Sequence, residues 1–76
     1  MHWTAWTYRT SDGRTARAGR HETREQAMDA AAQRVGVKTP PLDEWSGPNH
    51  RGGEPDTFKV LVEGDDEHEL VVRLKR

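Results

Sequence analysis

The last twenty residues, TFKVLVEGDDEHELVVRLKR (57–76), decide the fold. Two runs of alternating apolar and polar residues flank a polar turn, and this pattern predicts two antiparallel strands with a loop of about three to five residues centred on Asp66. The register that sets apolar residues opposite one another pairs Phe58 with Leu74, Val60 with Val72 and Val62 with Leu70. One face of the hairpin is then apolar, while the other is charged except for Leu61 and Val71.

The segment TREQAMDAAAQRVG (23–36) predicts the one helix. Thr23 and Gln26 fit the S/T-x-x-E/Q capping box, and Gly36 stands where a helix commonly ends in a left-handed residue. The apolar positions that recur at helical spacing are Ala27, Met28, Ala31 and Val35. Because this stripe is thin and mostly alanine, we expect the helix to approach a sheet closely.

The first twenty residues predict another hairpin. WTAWTYR (3–9) is rich in aromatic and β-branched residues, and the pair Asp12-Gly13 is a strong signal for a two-residue turn before a return strand at 14–20. This turn places Tyr8 opposite Arg17 and Trp6 opposite Gly19 on a bulky face, with Ala5, Thr7, Ala16 and Ala18 on the other. Large residues such as Trp6 or Phe58 are expected to face the thin helix.

Together these segments predict a single α+β domain over residues 1–76, in the order β-β-α-loop-β-β, with one helix packed on one face of a small antiparallel sheet. The loop spans about residues 38–56, which hold all four prolines and three of the seven glycines. A long loop in so small a domain is functional, disordered or wrongly assigned.

Trp45 leaves three interpretations of this loop open, because an exposed tryptophan forgoes a large gain from burial. In the first, the loop folds back and places Trp45 and Leu42 on the Leu61/Val71 patch. In the second, PPLDEW (40–45) presents a Pro-rich segment to a protein partner. The residues expected to contact that partner are Leu42, Trp45 and Arg51. In the third, the loop is disordered, above all in NHRGGEP (49–55).

The two halves of the chain differ in charge. Residues 1–38 hold seven basic and four acidic residues, while residues 39–76 hold five basic and nine acidic ones. The N-terminal hairpin interleaves aromatic rings with Arg9, Arg14, Arg17 and Arg20. Guanidinium groups bind phosphates and aromatic rings stack on bases, so the hairpin is a candidate nucleic-acid surface. On an ideal hairpin, however, Arg14 and Arg20 share one side and Arg17 lies on the other. The alternative is that Trp6 and Tyr8 are core and the arginines keep the surface soluble.

Most catalytic chemistry lacks support. The chain has no cysteine, its two serines are outside any nucleophile motif, and its four histidines show neither helical metal-pair spacing nor a Cys/His cluster. We expect no catalytic residue, metal, cofactor or small-molecule substrate. The absence of an apolar run long enough to span a membrane, together with the absence of cysteine, predicts a cytoplasmic protein.

The sequence therefore predicts a small non-enzymatic protein-binding or interaction module that self-associates as a homodimer, since so small a core is often completed by a partner. The alternative function is a nucleic-acid-binding accessory protein that contacts DNA or RNA through the N-terminal hairpin.

Overall fold

The computed structural model describes residues 1–47 and 56–76. The elements are β1 (His2–Arg9), β2 (Thr15–His21), α1 (Arg24–Arg34), a 3₁₀ helix (Leu42–Glu44), β3 (Thr57–Glu63) and β4 (Glu67–Lys75). The four strands form one antiparallel sheet in the order β2-β1-β4-β3. α1 packs on one face, mainly against β1, β2 and β4. The predicted α+β class and the predicted order of elements are confirmed.

The helix begins as its sequence predicts. The Thr23 hydroxyl accepts a hydrogen bond from the Gln26 amide at 3.1 Å, and the Gln26 side chain accepts one from the Thr23 amide at 3.2 Å. This closed capping box satisfies two backbone donors of the first turn. At the other end Gly36 adopts a φ of 75°, the left-handed conformation that favours glycine.

The apolar face of the second hairpin points at the helix. Leu70 and Val72 are fully buried, Phe58 is buried, and Val60 and Val62 pack against the same cluster. The register, however, is displaced by two residues from the prediction: the observed pairs are Phe58 with Val72, Val60 with Leu70 and Val62 with His68. A tight turn at residues 64–66 causes the shift. Because the displacement is even, every side chain keeps its predicted face.

The residues of β1 that face the helix are Trp3, Ala5 and Thr7, and this contradicts the expectation that Trp6 faces it. Ala5 is fully buried beneath a helix whose own buried residues are Ala27, Met28, Ala31 and Ala32. Alanines on both elements let the helix lie close to β1, so no room remains there for an indole. The large side chains are displaced to the flank, where the rings of Trp3 and Phe58 pack with centroids 6.1 Å apart.

The first hairpin also has a different register from the one predicted. Tyr8 pairs with Thr15 and Trp6 with Arg17, so the loop holds four residues, 10–13, instead of two. The Arg9 amide donates to the Arg14 carbonyl at 2.8 Å and closes this loop. Asp12-Gly13 does lie in the turn, with Gly13 at a φ of 72°.

The described part of the long loop, through residue 47, is not structureless. Trp45 is only 6% exposed and belongs to the core cluster, and its indole Nε1 donates to the Pro40 carbonyl at 3.1 Å. Ser46 and Lys59 exchange two backbone hydrogen bonds, which dock the segment beside β3. Trp45 thus helps to cover the part of the sheet beyond the main contacts of α1.

The predicted placement of Trp45 and Leu42 on the Leu61/Val71 patch is therefore wrong. Trp45 packs on the helix side, whereas Leu61 and Val71 lie on the opposite face. Leu42 and Leu61 are 49% and 60% exposed. The segment NHRGGEP (49–55) lies outside the described residues.

Candidate interaction surface

The candidate site is the sheet face opposite α1, which we call the open face. Alternation along the strands assigns to it His2, Thr4, Trp6 and Tyr8 of β1, Thr15, Arg17 and Arg20 of β2, Thr57, Lys59, Leu61 and Glu63 of β3, and Glu67, Glu69, Val71, Arg73 and Lys75 of β4. Of these residues, Thr4 and Thr57 are buried. An antiparallel sheet commonly keeps one face on the core and one in water. This face differs from an ordinary solvated surface, because its centre is apolar and its charges are segregated.

The centre of the open face is apolar. Trp6 pairs directly with Val71, and Tyr8 follows Trp6 on the same side of β1. Leu61 is diagonal to Val71 across the β3/β4 pair, a spacing at which side chains interact. Leu61 and Tyr8 are 60% and 38% exposed, so this patch leaves substantial apolar area in water.

A β-bulge brings two of the predicted arginines to one face. The β1/β2 register shifts between Trp6, which pairs with Arg17, and Thr4, which pairs with Arg20. Gly19 takes up the extra residue at a φ of 93°, and the His21 ring donates to the Ala18 carbonyl at 2.8 Å. Because the bulge changes the alternation of β2, Arg17 and Arg20 lie on the same face. The expectation that they point to opposite sides is wrong.

The other two predicted arginines lie apart from these. Arg9 and Arg14 flank the β1/β2 turn, where Arg9 lies 3.4 Å from an Asp12 carboxylate oxygen and 3.8 Å from Asp66, and Arg14 lies 3.6 Å from Asp12. Arg9 pairs with His68 on the helix side of the sheet. The predicted set of four arginines is thus divided into two pairs, and only the bulge pair belongs to the open face.

Charge on the open face is segregated along the strands. The basic end, defined here by its side chains, consists of Arg17, Arg20, Lys59, Arg73 and Lys75. The acidic end consists of Glu63, Glu67 and Glu69. The pKa of His2, beside the basic end, lies below its usual value, first because of burial and then because of the positive charges of Arg20, the N-terminal amine, Lys75 and Arg17.

The ion pairs seen in residues 1–47 and 56–76 involve Arg9, Arg14, Arg24 and Arg76, which lie outside the open face. At the acidic end Glu63 pairs directly with Glu67, a like-charge arrangement that costs stability. Glu67 also accepts a hydrogen bond from the Thr10 hydroxyl at 2.9 Å.

The residues predicted to anchor a partner through the loop have different surroundings. Trp45 is in the core, so its ring is unavailable to a partner in this conformation. Leu42 is exposed in the 3₁₀ helix, and Arg51 lies outside the described residues. Sequence reasoning recognised Leu61 and Val71 as an apolar pair on a charged face but assigned them to cover by the loop, and it left the acidic end of the face unused.

Other kinds of site find little support in the described ranges. Across these ranges, no group of three or more histidine, aspartate or glutamate side chains is arranged to hold a metal ion. None of the helices there is long and apolar enough to cross a membrane.

Comparisons with protein-family models, with curated proteins and with solved structures give no match to this chain.

Proposed function

We propose that this chain is a small non-enzymatic interaction module that self-associates through its open face. The observation that carries the proposal is a partly exposed apolar centre, Leu61 with Tyr8, Trp6 and Val71, flanked by a basic end and an acidic end that are segregated along the strands. An apolar core with a polar rim is the usual anatomy of a protein interface.

The size of the open face sets the expected affinity. Four strands spaced about 4.8 Å apart, each contributing six or seven residues at about 3.3 Å, give a face of roughly 19 by 20 Å. Burying the exposed part of Leu61 removes on the order of 100 Å² of apolar area from water, which favours association by about 2.5 kcal/mol. A face of this size offers roughly 400 Å² in each copy, about half of what a standard stable interface buries per partner, so we expect a weak dimer with a dissociation constant on the order of micromolar or above.

Self-association is tested by the mass of the protein as a function of concentration, with Leu61→Arg as the disrupting variant. Leu42→Arg is a matched control, because Leu42 is also an exposed leucine but lies outside the open face. The wild type and Leu42→Arg should shift from monomer to dimer between about 1 and 100 μM, while Leu61→Arg stays monomeric. A wild type that remains monomeric at about 1 mM would overturn the proposal.

Nucleic-acid binding is the second candidate, and the bulge is the observation that favours it. Arg17 and Arg20 share a face with Trp6 and Tyr8, whose Cα atoms are about 7 Å apart, so a single strand could stack on the rings while the arginines contact phosphates. Glu69 pairs directly with Tyr8 and opposes such binding by repelling phosphates. We therefore rank this function below self-association.

The second candidate is tested with labelled single-stranded DNA and RNA by fluorescence anisotropy. Affinity should fall steeply as salt rises if several phosphates are contacted, and Arg17→Glu should weaken binding more than Arg34→Glu on the helix. An absence of binding at about 50 mM salt removes this candidate.

A further inference from the structure

We infer that two copies pack open face against open face with their strands antiparallel, so that the basic end of each copy lies over the acidic end of the other. This inference depends on the proposed self-association and specifies its geometry. Its basis is the segregation of charge along the strands, which makes the open face complementary to itself in one orientation only.

Two symmetric orientations are available to face-to-face packing, because the two-fold axis lies in the plane of the interface. With the axis perpendicular to the strands, the ends exchange while each strand lies over its counterpart, so Lys59 on β3 approaches Glu63 and Glu69 of the second copy, and Arg17 and Arg20 lie over β2 of that copy. With the axis parallel to the strands, like ends meet, and Arg17 on one edge strand approaches Lys59 on the opposite edge strand of the second copy. Like charges across an interface oppose association.

The same orientation relieves the unfavourable contacts within each copy. Glu63 and Glu67 pair directly within one copy and repel each other. At the basic end, the pKa of His2 is lowered first by burial and then by the positive charges of Arg20, the N-terminal amine, Lys75 and Arg17, which lie near it. In the dimer, charges of the second copy offset the excess of negative charge at one end and of positive charge at the other. An exposed charge pair on the surface of a single copy contributes little to stability.

The apolar centre fits this arrangement. A two-fold axis between the Trp6 and Tyr8 positions sets the Trp6 position of one copy over the Tyr8 position of the other. Aromatic rings that pack with centroids about 4.5–7 Å apart favour association beyond the effect of the area that they bury. The hydroxyl of Tyr8 lies by the turn, 3.7 Å from where a Cβ on Gly13 would stand, and the Tyr8 side chain is exposed.

Charge reversal tests the complementarity. One variant, Glu63→Lys/Glu69→Lys, makes the face basic throughout, and a second, Arg17→Glu/Lys59→Glu, makes it predominantly acidic. Glu67 and Arg73 are left unchanged because Glu67 bonds to Thr10 and Arg73 makes other contacts. Each variant alone should dimerise at least about tenfold more weakly at low salt, and an equimolar mixture should recover a dimer. Asp43→Lys/Glu44→Lys reverses the same charge away from the face and should dimerise like the wild type.

The orientation is measured separately by spin labels, since the chain has no cysteine of its own. A nitroxide on Lys75→Cys reports the distance between the two basic ends in the wild-type background. The inferred arrangement separates the labels by about 30 Å, whereas the arrangement with like ends together brings them within about 20 Å.

Each outcome gives a distinct answer. Recovery of the dimer in the mixture together with the long label distance supports the inference. A dimer that Leu61→Arg abolishes but that charge reversal leaves unchanged, or that gives the short distance, overturns the orientation and leaves the proposed function standing. A wild type that is monomeric throughout overturns both.

Discussion

Replacing Trp45 by alanine tests whether the loop tryptophan is a structural element of the core. Trp45 is 6% exposed and its indole N–H donates to the Pro40 carbonyl. Large-to-small substitutions of buried aromatic residues cost about 3–5 kcal/mol. Trp45 follows a short 3₁₀ helix in a loop and is not part of a strand or of α1, so we take the lower end of this range, about 3 kcal/mol. A domain of this length is stable by only roughly 4–11 kcal/mol, so the loss is large.

The assay is urea unfolding followed by far-UV circular dichroism, because removal of one of three tryptophans would distort a fluorescence signal. In a thermal melt followed by the same signal, a loss of about 3 kcal/mol corresponds to a fall in melting temperature of about 12–24 °C. Leu42→Ala in the same segment is the control and should cost less than about 0.5 kcal/mol, since Leu42 is half exposed. The reasoning is refuted if Trp45→Ala unfolds within about 1 kcal/mol of the wild type. Trp45 would then be free to act as an anchor.

Substitutions at Gly47, Gly36, Thr23 and His2 test local features. Gly47→Ala should lower the free energy of unfolding by about 2 kcal/mol or more, because a Cβ would stand 2.2 Å from the Thr57 carbonyl oxygen and the φ is 123°. Gly36→Ala is the comparison, since nothing lies within 4 Å of a Cβ there, and it should cost about 1 kcal/mol. Both values are measured by thermal unfolding. Thr23→Ala should lower the free energy of unfolding by about 1 kcal/mol, because it opens the capping box. Thr23→Ser keeps a hydroxyl and should retain most of the wild-type stability in the same measurement. The pKa of His2 is lowered in the folded state, so the unfolded state takes up its proton first and stability should decline as pH falls below 6.5. Melting curves from pH 7.5 to 5.5 should show a smaller decline for His2→Gln than for the wild type, and equal declines would contradict this assignment.

The elements with strong local signals were predicted from the sequence. The capping box at Thr23 and the glycine at the helix end fix α1 by interactions within a few residues. Alternation in the last twenty residues fixes which face of β3 and β4 is buried, even though the register was wrong. A displacement of two residues leaves that face unchanged, so the pattern cannot distinguish between the two registers.

What the sequence could not predict depends on contacts between distant segments. The bulge at Gly19 arises because β2 must pair with β1, and a local pattern gives no sign of where the extra residue is absorbed. Trp6 was expected in the core because of its size. In the structure α1 packs closely on Ala5, and Trp6 lies on the opposite face of the sheet. The open face and its segregated charges arise from the pairing of β1 with β4, a contact between distant segments that local patterns do not indicate.

The pairing of β1 with β4 in the centre of the sheet has a consequence for how the chain folds during synthesis. His2 pairs with Lys75, so the middle of the sheet joins positions about 70 residues apart, and such long-range contacts slow folding. While residues 67–75 are still inside the ribosomal tunnel, β1 exposes one bare edge, and the emerging β1/β2 hairpin is only marginally stable by itself. Completion of the sheet must therefore wait until β4 leaves the tunnel, and until then β1 keeps one unpaired edge.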